Sequence, residues 1–329
     1  MAYVSKIASG GVQYDVRDRT THGNVTDDGA IGAASGLPIF TGAGGVMEAV
    51  APQQGRELLY IPPYTYGYYG KDLSKIYTGA ELHEKTAAGD YEGIVNGDYF
   101  PITLNGTYYD YADSANKTFS NAVMNMVFMP FFYGQYGDTV TPNHCLVCSR
   151  DCMPNTIKFR SANETWYDAE ATNPMLGSAL YQTLNNPENG IIKLVEQTEL
   201  GPYIYAGPNG KGMRFLWETK AAGATVATAW GWGDRGKLFL PTEREVWGQD
   251  VWSKHTYGGG GNALQWPIFA GSRRHIIKGL GNGGSRYDWW CASSAAGSAA
   301  NFGNVNSGGH ASNRGAAHAY GVPLCFLII

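Results

Sequence analysis

Apolar and polar residues alternate from Ala2 to Arg19 on either side of Gly10-Gly11, and a period of two around a glycine pair predicts a β-hairpin. At the other end, Val322-Pro-Leu-Cys-Phe-Leu-Ile-Ile329 is apolar almost throughout, the pattern of a strand covered on both faces. Between these ends, Thr78-Gly-Ala-Glu81 is a capping-box pattern that opens a short helix from Ala80 to Ala88, with Gly89 to stop it. Asn173-Pro174 predicts the start of a second helix reaching about Leu184, because Pro187 bars its continuation. Thr242-Glu-Arg-Glu245 repeats the capping box, so Glu243 and Glu245 read as helix-start acids in preference to a catalytic pair, with Trp247 and Trp252 as core aromatics of the same element. Strand-like runs fall at Gly93 to Ile102 and His144 to Cys148. Helices spaced among many strands predict an α+β architecture.

The stretch from Ser285 to Ile329 departs from every simple period. Between Cys291 and Gly321, 24 of 31 residues are Ala, Ser, Gly or Asn, a composition usual for a linker. A linker does not end in a core strand, nor is it bracketed by Trp289-Trp290 and punctuated by Phe302, Val305 and Tyr320. Anchored apolar positions separated by small and polar ones predict a surface of loops and short strands whose side chains can change at little cost to the fold.

Composition narrows the rest. Charged residues are only 16% of the chain, with 45 Gly and 22 Tyr, which favours a loop-rich, strand-containing protein. A net charge of -4 argues against a general grip on nucleic acid or anionic lipid, and Arg273-Arg274-His275 with Lys278 reads as a solvated edge. No stretch approaches the ~20 apolar residues of a membrane span, and no apolar leader opens the chain, so folding in a cytoplasm without membrane insertion is expected. Five Cys cannot all pair. His144, Cys145, Cys148 and Cys152 have zinc-like spacing, but no second C-x-x-C half closes the site, and small thiols packed in a strand are the simpler reading. Gly279-Leu-Gly-Asn-Gly-Gly284 lacks the following helix that a dinucleotide fingerprint needs, and no calcium loop is visible. No catalytic residue, metal or cofactor is assigned.

The order Leu238-Phe-Leu-Pro-Thr-Glu-Arg-Glu-Val-Trp-Gly248, Trp266-Pro-Ile-Phe269, Trp289-Trp290, Phe302-x-x-Val305 and Gly321-Val322-Pro323 resembles the variable proteins of diversity-generating retroelements. That resemblance implies a C-type-lectin-like fold with a diversified ligand surface. Adenine miscopying in the family turns Asn codons into NNC or NNT, which cannot encode Lys, Glu, Gln, Met or Trp. None of these occurs from Cys291 to Ile329. The opening residues, Asn24 to Gly32 and Leu37 to Gly45 resemble phage tail-fibre and head-fibre modules, which implies attachment to other virion proteins and a homotrimer.

The expected organisation is a β-rich virion-attachment and trimerisation module over 1–50, a neck over 51–72, and a C-type-lectin-like domain over 73–329. The resemblance implies a phage receptor-binding protein at the tip of a virion, directed at a host cell-surface protein or glycan. Its expected contact residues are Ser285, Arg286, Tyr287, Asp288, Ser298, Asn301, Asn304, Asn306, Ser307, His310, Ser312, Asn313, Arg314, His318 and Tyr320. Phe302, Val305, Ala316, Gly321 and Val322 are expected as frame. Two other readings share parts of this pattern: a decoration protein without a receptor, and an enzyme of the formylglycine-generating type, which needs a reactive Cys pair in a pocket, whereas Cys291 and Cys325 are embedded in apolar sequence.

Overall fold

The computed structural model describes residues 70–130, 143–162, 173, 175–207, 210–212, 214–219, 229–253, 265–270, 273–296, 298 and 300–329, together with the backbone of five earlier strands. The chain separates into two compact units, Met1–Thr65 and Tyr66–Ile329. In the first, β1 (Lys6–Ser9), β2 (Val12–Arg17) and β3 (Asn24–Thr26) form an antiparallel sheet, while β4 (Leu37–Thr41) pairs with β5 (Val46–Val50). Ser9 lies opposite Val12, so the alternating pattern closes as a hairpin across Gly10-Gly11. The expected neck lies outside the described residues as far as Tyr69.

The second unit opens with α1 (Gly79–Ala88), β6 (Tyr99–Asp110), β7 (Ala115–Pro130), β8 (Cys145–Cys152) and β9 (Ile157–Lys158). After these come α2 (Ala179–Asn185), α3 (Ile192–Val195), β10 (Arg214–Thr219), β11 (Ala229–Asp234) and α4 (Glu243–Trp247). The C-terminal part is β12 (Lys278–Gly279), β13 (Arg286–Tyr287), β14 (Trp289–Ser294), β15 (Asn301–Val305), β16 (Ala311–Gly315), β17 (Ala319–Tyr320) and β18 (Pro323–Ile328). The architecture is mixed and strand-rich around a curled antiparallel sheet, as α+β requires.

Local chemistry explains the helix ends. Thr78 Oγ1 accepts the Glu81 N–H at 3.2 Å and Glu81 Oε2 accepts the Thr78 N–H at 2.7 Å, a complete capping box, and Gly89 ends α1 at φ 69°. The second helix starts later than the sequence predicts. Its cap is Ser178, whose Oγ accepts the Tyr181 N–H, whereas Asn173 holds the preceding turn by accepting the Met175 N–H at 2.7 Å. The strand expected from Gly93 begins instead at Tyr99, because Gly93 and Gly97 take φ 79° and 104° and turn the chain first.

The main sheet has the order β18-β8-β7-β6, antiparallel throughout, with the C-terminal strand beside the central β8. Both faces are covered. One face carries Val147, Leu324, Phe326, Phe128 and Phe100 against Leu180 and Leu184 of α2 and Ile192 and Val195 of α3. The other carries Leu146, Cys148, Cys325 and Leu327 against Phe239, Trp266 and Phe269. Double coverage is the reason the C-terminal run lacks alternation.

The same alternation along β8 disposes of the zinc-like spacing: Cys145 faces the first cluster, while Cys148 and Cys152 face the second. Among the described residues no group of three or more His, Cys, Asp or Glu side chains is placed to hold a metal ion. Among them too, no helix is long and apolar enough to cross a membrane.

Candidate ligand-binding surface

Two adjacent tryptophans fasten the C-terminal segment to the rest of the unit. Successive residues of a strand point to opposite faces, so Trp289 enters the cluster of Trp266 and Phe269 while Trp290 enters that of Phe159 and Phe302. Each indole N–H reaches a backbone carbonyl, Trp289 to Ile276 at 3.0 Å and Trp290 to Ile157 at 2.9 Å. Burying an indole removes roughly 150–250 Å² from water, about 4–6 kcal/mol of gross transfer energy per ring as an upper bound. Neither buried N–H is left unpaired to offset that gain.

The next two strands are aligned by these anchors. In the sheet β14-β15-β16, Val305 lies opposite Trp289 and Asn304 opposite Trp290, and across β15 Ser312 faces Asn304 and Arg314 faces Phe302. Phe302 stacks on Phe159 with ring centroids 3.8 Å apart. Gly321 is needed where the chain returns, because a Cβ there would lie 2.8 Å from Cys152 Sγ. All five expected frame residues, Phe302, Val305, Ala316, Gly321 and Val322, are buried.

The expected contact residues divide into three kinds. Ser285, Arg286, Tyr287, Ser307, His310, Arg314 and His318 are exposed, and Ser298, Ser312 and Asn313 are half-buried. Several polar ones are occupied in shaping the loops: Asp288 accepts the Ser307 N–H at 2.7 Å, Asn306 accepts the N–H groups of Gly308 and His310, and Asn301 donates to Asn313. Asn304 is a correction, since it is wholly buried with neither end of its amide hydrogen-bonded and so is not displayed. Its position opposite Trp290 in the central strand of the sheet turns it inward.

Tyr320 is the hub of the exposed group. Its ring packs on Trp290 at 4.7 Å and is stacked by His318 at 6.0 Å, and the Arg314 guanidinium hydrogen-bonds its hydroxyl. Burial raises the phenol above its ordinary value, the Arg314 hydrogen bond opposes this, and the nearby Asp288 carboxylate adds to the rise. At one side Arg273 Nη1 meets His310 Nε2 at 2.9 Å. The basic run is therefore only partly a solvated edge: Arg273 is exposed, but Lys278 is 2% exposed and points into the interior.

One surface aromatic escapes sequence reasoning. Trp252, expected in the core, is 44% exposed. Its loop is held by Glu243, whose Oε2 accepts the N–H groups of Val251, Trp252 and Ser253 at 2.9 to 3.0 Å. The Trp252 carbonyl in turn accepts the Ala296 N–H at 2.7 Å, so this indole sits beside the connection between β14 and β15. Glu245, by contrast, completes the cap on Thr242 and forms a buried ion pair with Arg235 at 2.8 Å. Both acids of the capping box thus hold structure, and the surplus carboxylate at Glu243 was the signal in the sequence that a second segment is bound there.

No protein-family model matches this chain, and neither a curated protein nor a solved structure matches it.

Proposed function

We propose that this chain is a phage receptor-binding protein: a trimeric fibre module carrying a C-type-lectin-like domain of the retroelement-diversified kind, whose last 45 or so residues form a tunable ligand surface. The observation that carries the reading is the division of labour inside one segment. Trp289, Trp290, Phe302, Val305 and Val322 have 0% exposure, while Arg286 and Tyr287 just before them and His310, Arg314 and His318 among them are exposed. A segment built this way can exchange its outer side chains without loss of its anchors. The proposal assigns no reaction. It locates the protein at a virion tip after synthesis in a bacterial cytoplasm, joined to other virion proteins through residues 1–50.

Charge indicates the class of ligand group. From Gln265 onward the cations are Arg273, Arg274, Lys278, Arg286 and Arg314 and the sole acidic residue is Asp288, in a chain whose net charge is -4. A host surface rich in carboxylate or phosphate complements the exposed arginines.

Labelled full-length protein incubated with a panel of intact bacterial strains tests the proposal. Saturable binding to a subset is expected, with loss of binding when Tyr287, His310, Arg314 and His318 are changed together to Ser or Ala. Equal binding by that variant places the ligand elsewhere, and binding to none of the strains counts against a receptor role. Light scattering is expected to report three chains, and a persistent monomer at micromolar concentration overturns the fibre module.

A further inference from the structure

The ligand surface leaves one buried cluster of reactive groups unexplained. Strands β8 and β18 run antiparallel with Cys148 directly opposite Cys325. Both side chains have 0% exposure, and their sulfur atoms are 2.9 Å apart, with the Cys325 thiol donating to Cys148. Directly opposed strand residues have Cα atoms about 4.5–5.5 Å apart, inside the range a disulfide spans. A third group stands beside them. Lys278 places its ammonium 4.0 Å from Cys148 Sγ while donating to the carbonyls of Ser149 and Arg150 and lying over the rings of Phe269 and Trp289 at 5.5 and 5.7 Å.

This arrangement separates Cys148 from its neighbours on the same strand. Burial alone dominates at Cys145 and Cys152 and pushes both thiols well up. At Cys148 burial acts in the same sense, but the Cys325 hydrogen bond and then the Lys278 charge outweigh it and bring the thiol below its ordinary value. Burial holds Cys325 well above that value. The pair thus sets a thiol that gives up its proton more readily than its neighbours against one that holds its proton.

We infer that Cys148 and Cys325 are a redox pair that closes into a cross-strand disulfide, with a peroxide as the oxidant. Cys148 gives up its proton and its sulfur attacks the peroxide O–O bond, forming a sulfenic acid and releasing hydroxide, which takes up that proton to become the first water. Cys325 sulfur then displaces water from Cys148, and its proton leaves in that water. The two thiols are oxidised by two electrons and hydrogen peroxide is reduced to two waters. The bond joins residues 177 positions apart and ties the last strand to the middle of the main sheet. That strand anchors the far end of the 285–320 segment, and Lys278 precedes its near end. The inference does not depend on what the surface binds.

Full-length protein treated with hydrogen peroxide, then denatured, alkylated and mapped by mass spectrometry, decides the matter. Alkylatable thiols should fall from five to three, a loss of two, with one cross-linked peptide pair containing Cys148 and Cys325 and full recovery on reduction. The urea midpoint should rise with the cross-link and return on reduction. Five thiols remaining, or a link from Cys148 to Cys152 or Cys291, overturns the pair, and an unmoved midpoint overturns the tie between the last strand and the main sheet. In Cys325→Ala, dimedone should trap a sulfenic acid at Cys148. If that variant does not fold, the wild-type map is sufficient.

Discussion

The carboxylate of Glu243 accepts the backbone N–H of Trp252 at 2.9 Å, and through that bond and its two neighbours an interior acid determines where a surface indole stands. Glu243 is itself fully buried, with its own N–H on Ser293 of β14, so the loop and the sheet β14-β15-β16 share one support. This couples a position outside the C-terminal segment to the surface that segment forms.

Replacing Glu243 by Gln removes the charge from three hydrogen bonds and should cost about 1.5–3 kcal/mol in urea unfolding. Trp252→Ala should move stability by no more than about 0.5 kcal/mol, since the ring is largely outside, yet weaken binding to the target cells. Unchanged affinity in Trp252→Ala would remove this residue from the ligand surface.

Frame and display residues should respond in opposite ways. Trp290→Ala and Phe302→Ala should each cost about 3–5 kcal/mol, the usual loss for a buried ring. Arg314→Ala and His318→Ala should each stay within about 0.5 kcal/mol while reducing binding. Thermal melts beside cell-binding assays on the same four variants measure both axes, and a large loss of stability in His318→Ala would contradict its assignment as displayed.

Asn304 gives a test of opposite sign. A buried amide without partners costs about 1–3 kcal/mol of desolvation, so Asn304→Leu, of similar size, should raise stability by about that amount. Denaturant unfolding checks it. A loss of stability would show that the amide is hydrogen-bonded in solution.

If exposed arginines meet an acidic ligand, affinity should fall several-fold as ionic strength rises from low to physiological values, chiefly through a slower on-rate. Binding kinetics at graded salt concentrations read this directly. Salt-independent binding would leave the tyrosines and histidines as the source of affinity.

Much of the fold was legible because it rests on short-range chemistry. The two capping boxes, the Gly10-Gly11 hairpin and the C-terminal strand each depend on residues a few positions apart, and each is present. The anchors Trp289, Trp290, Phe302 and Val305 were legible too, since large apolar side chains in a tract of small ones have nowhere to go but the core. The misplaced starts of β6 and α2 were local ambiguities, settled by glycine dihedrals and by a competing cap at Ser178.

What the chain by itself determined, then, is which side chains hold the C-terminal segment and which kinds it offers outward. What only the tertiary structure decided is the inward turn of Asn304, the burial of Lys278 beside Cys148, the closeness of Cys148 to Cys325 and the exposure of Trp252. Each of these depends on strand register or on a partner distant in sequence. A shift of one residue in register reverses the face every side chain occupies, and composition carries no record of that choice.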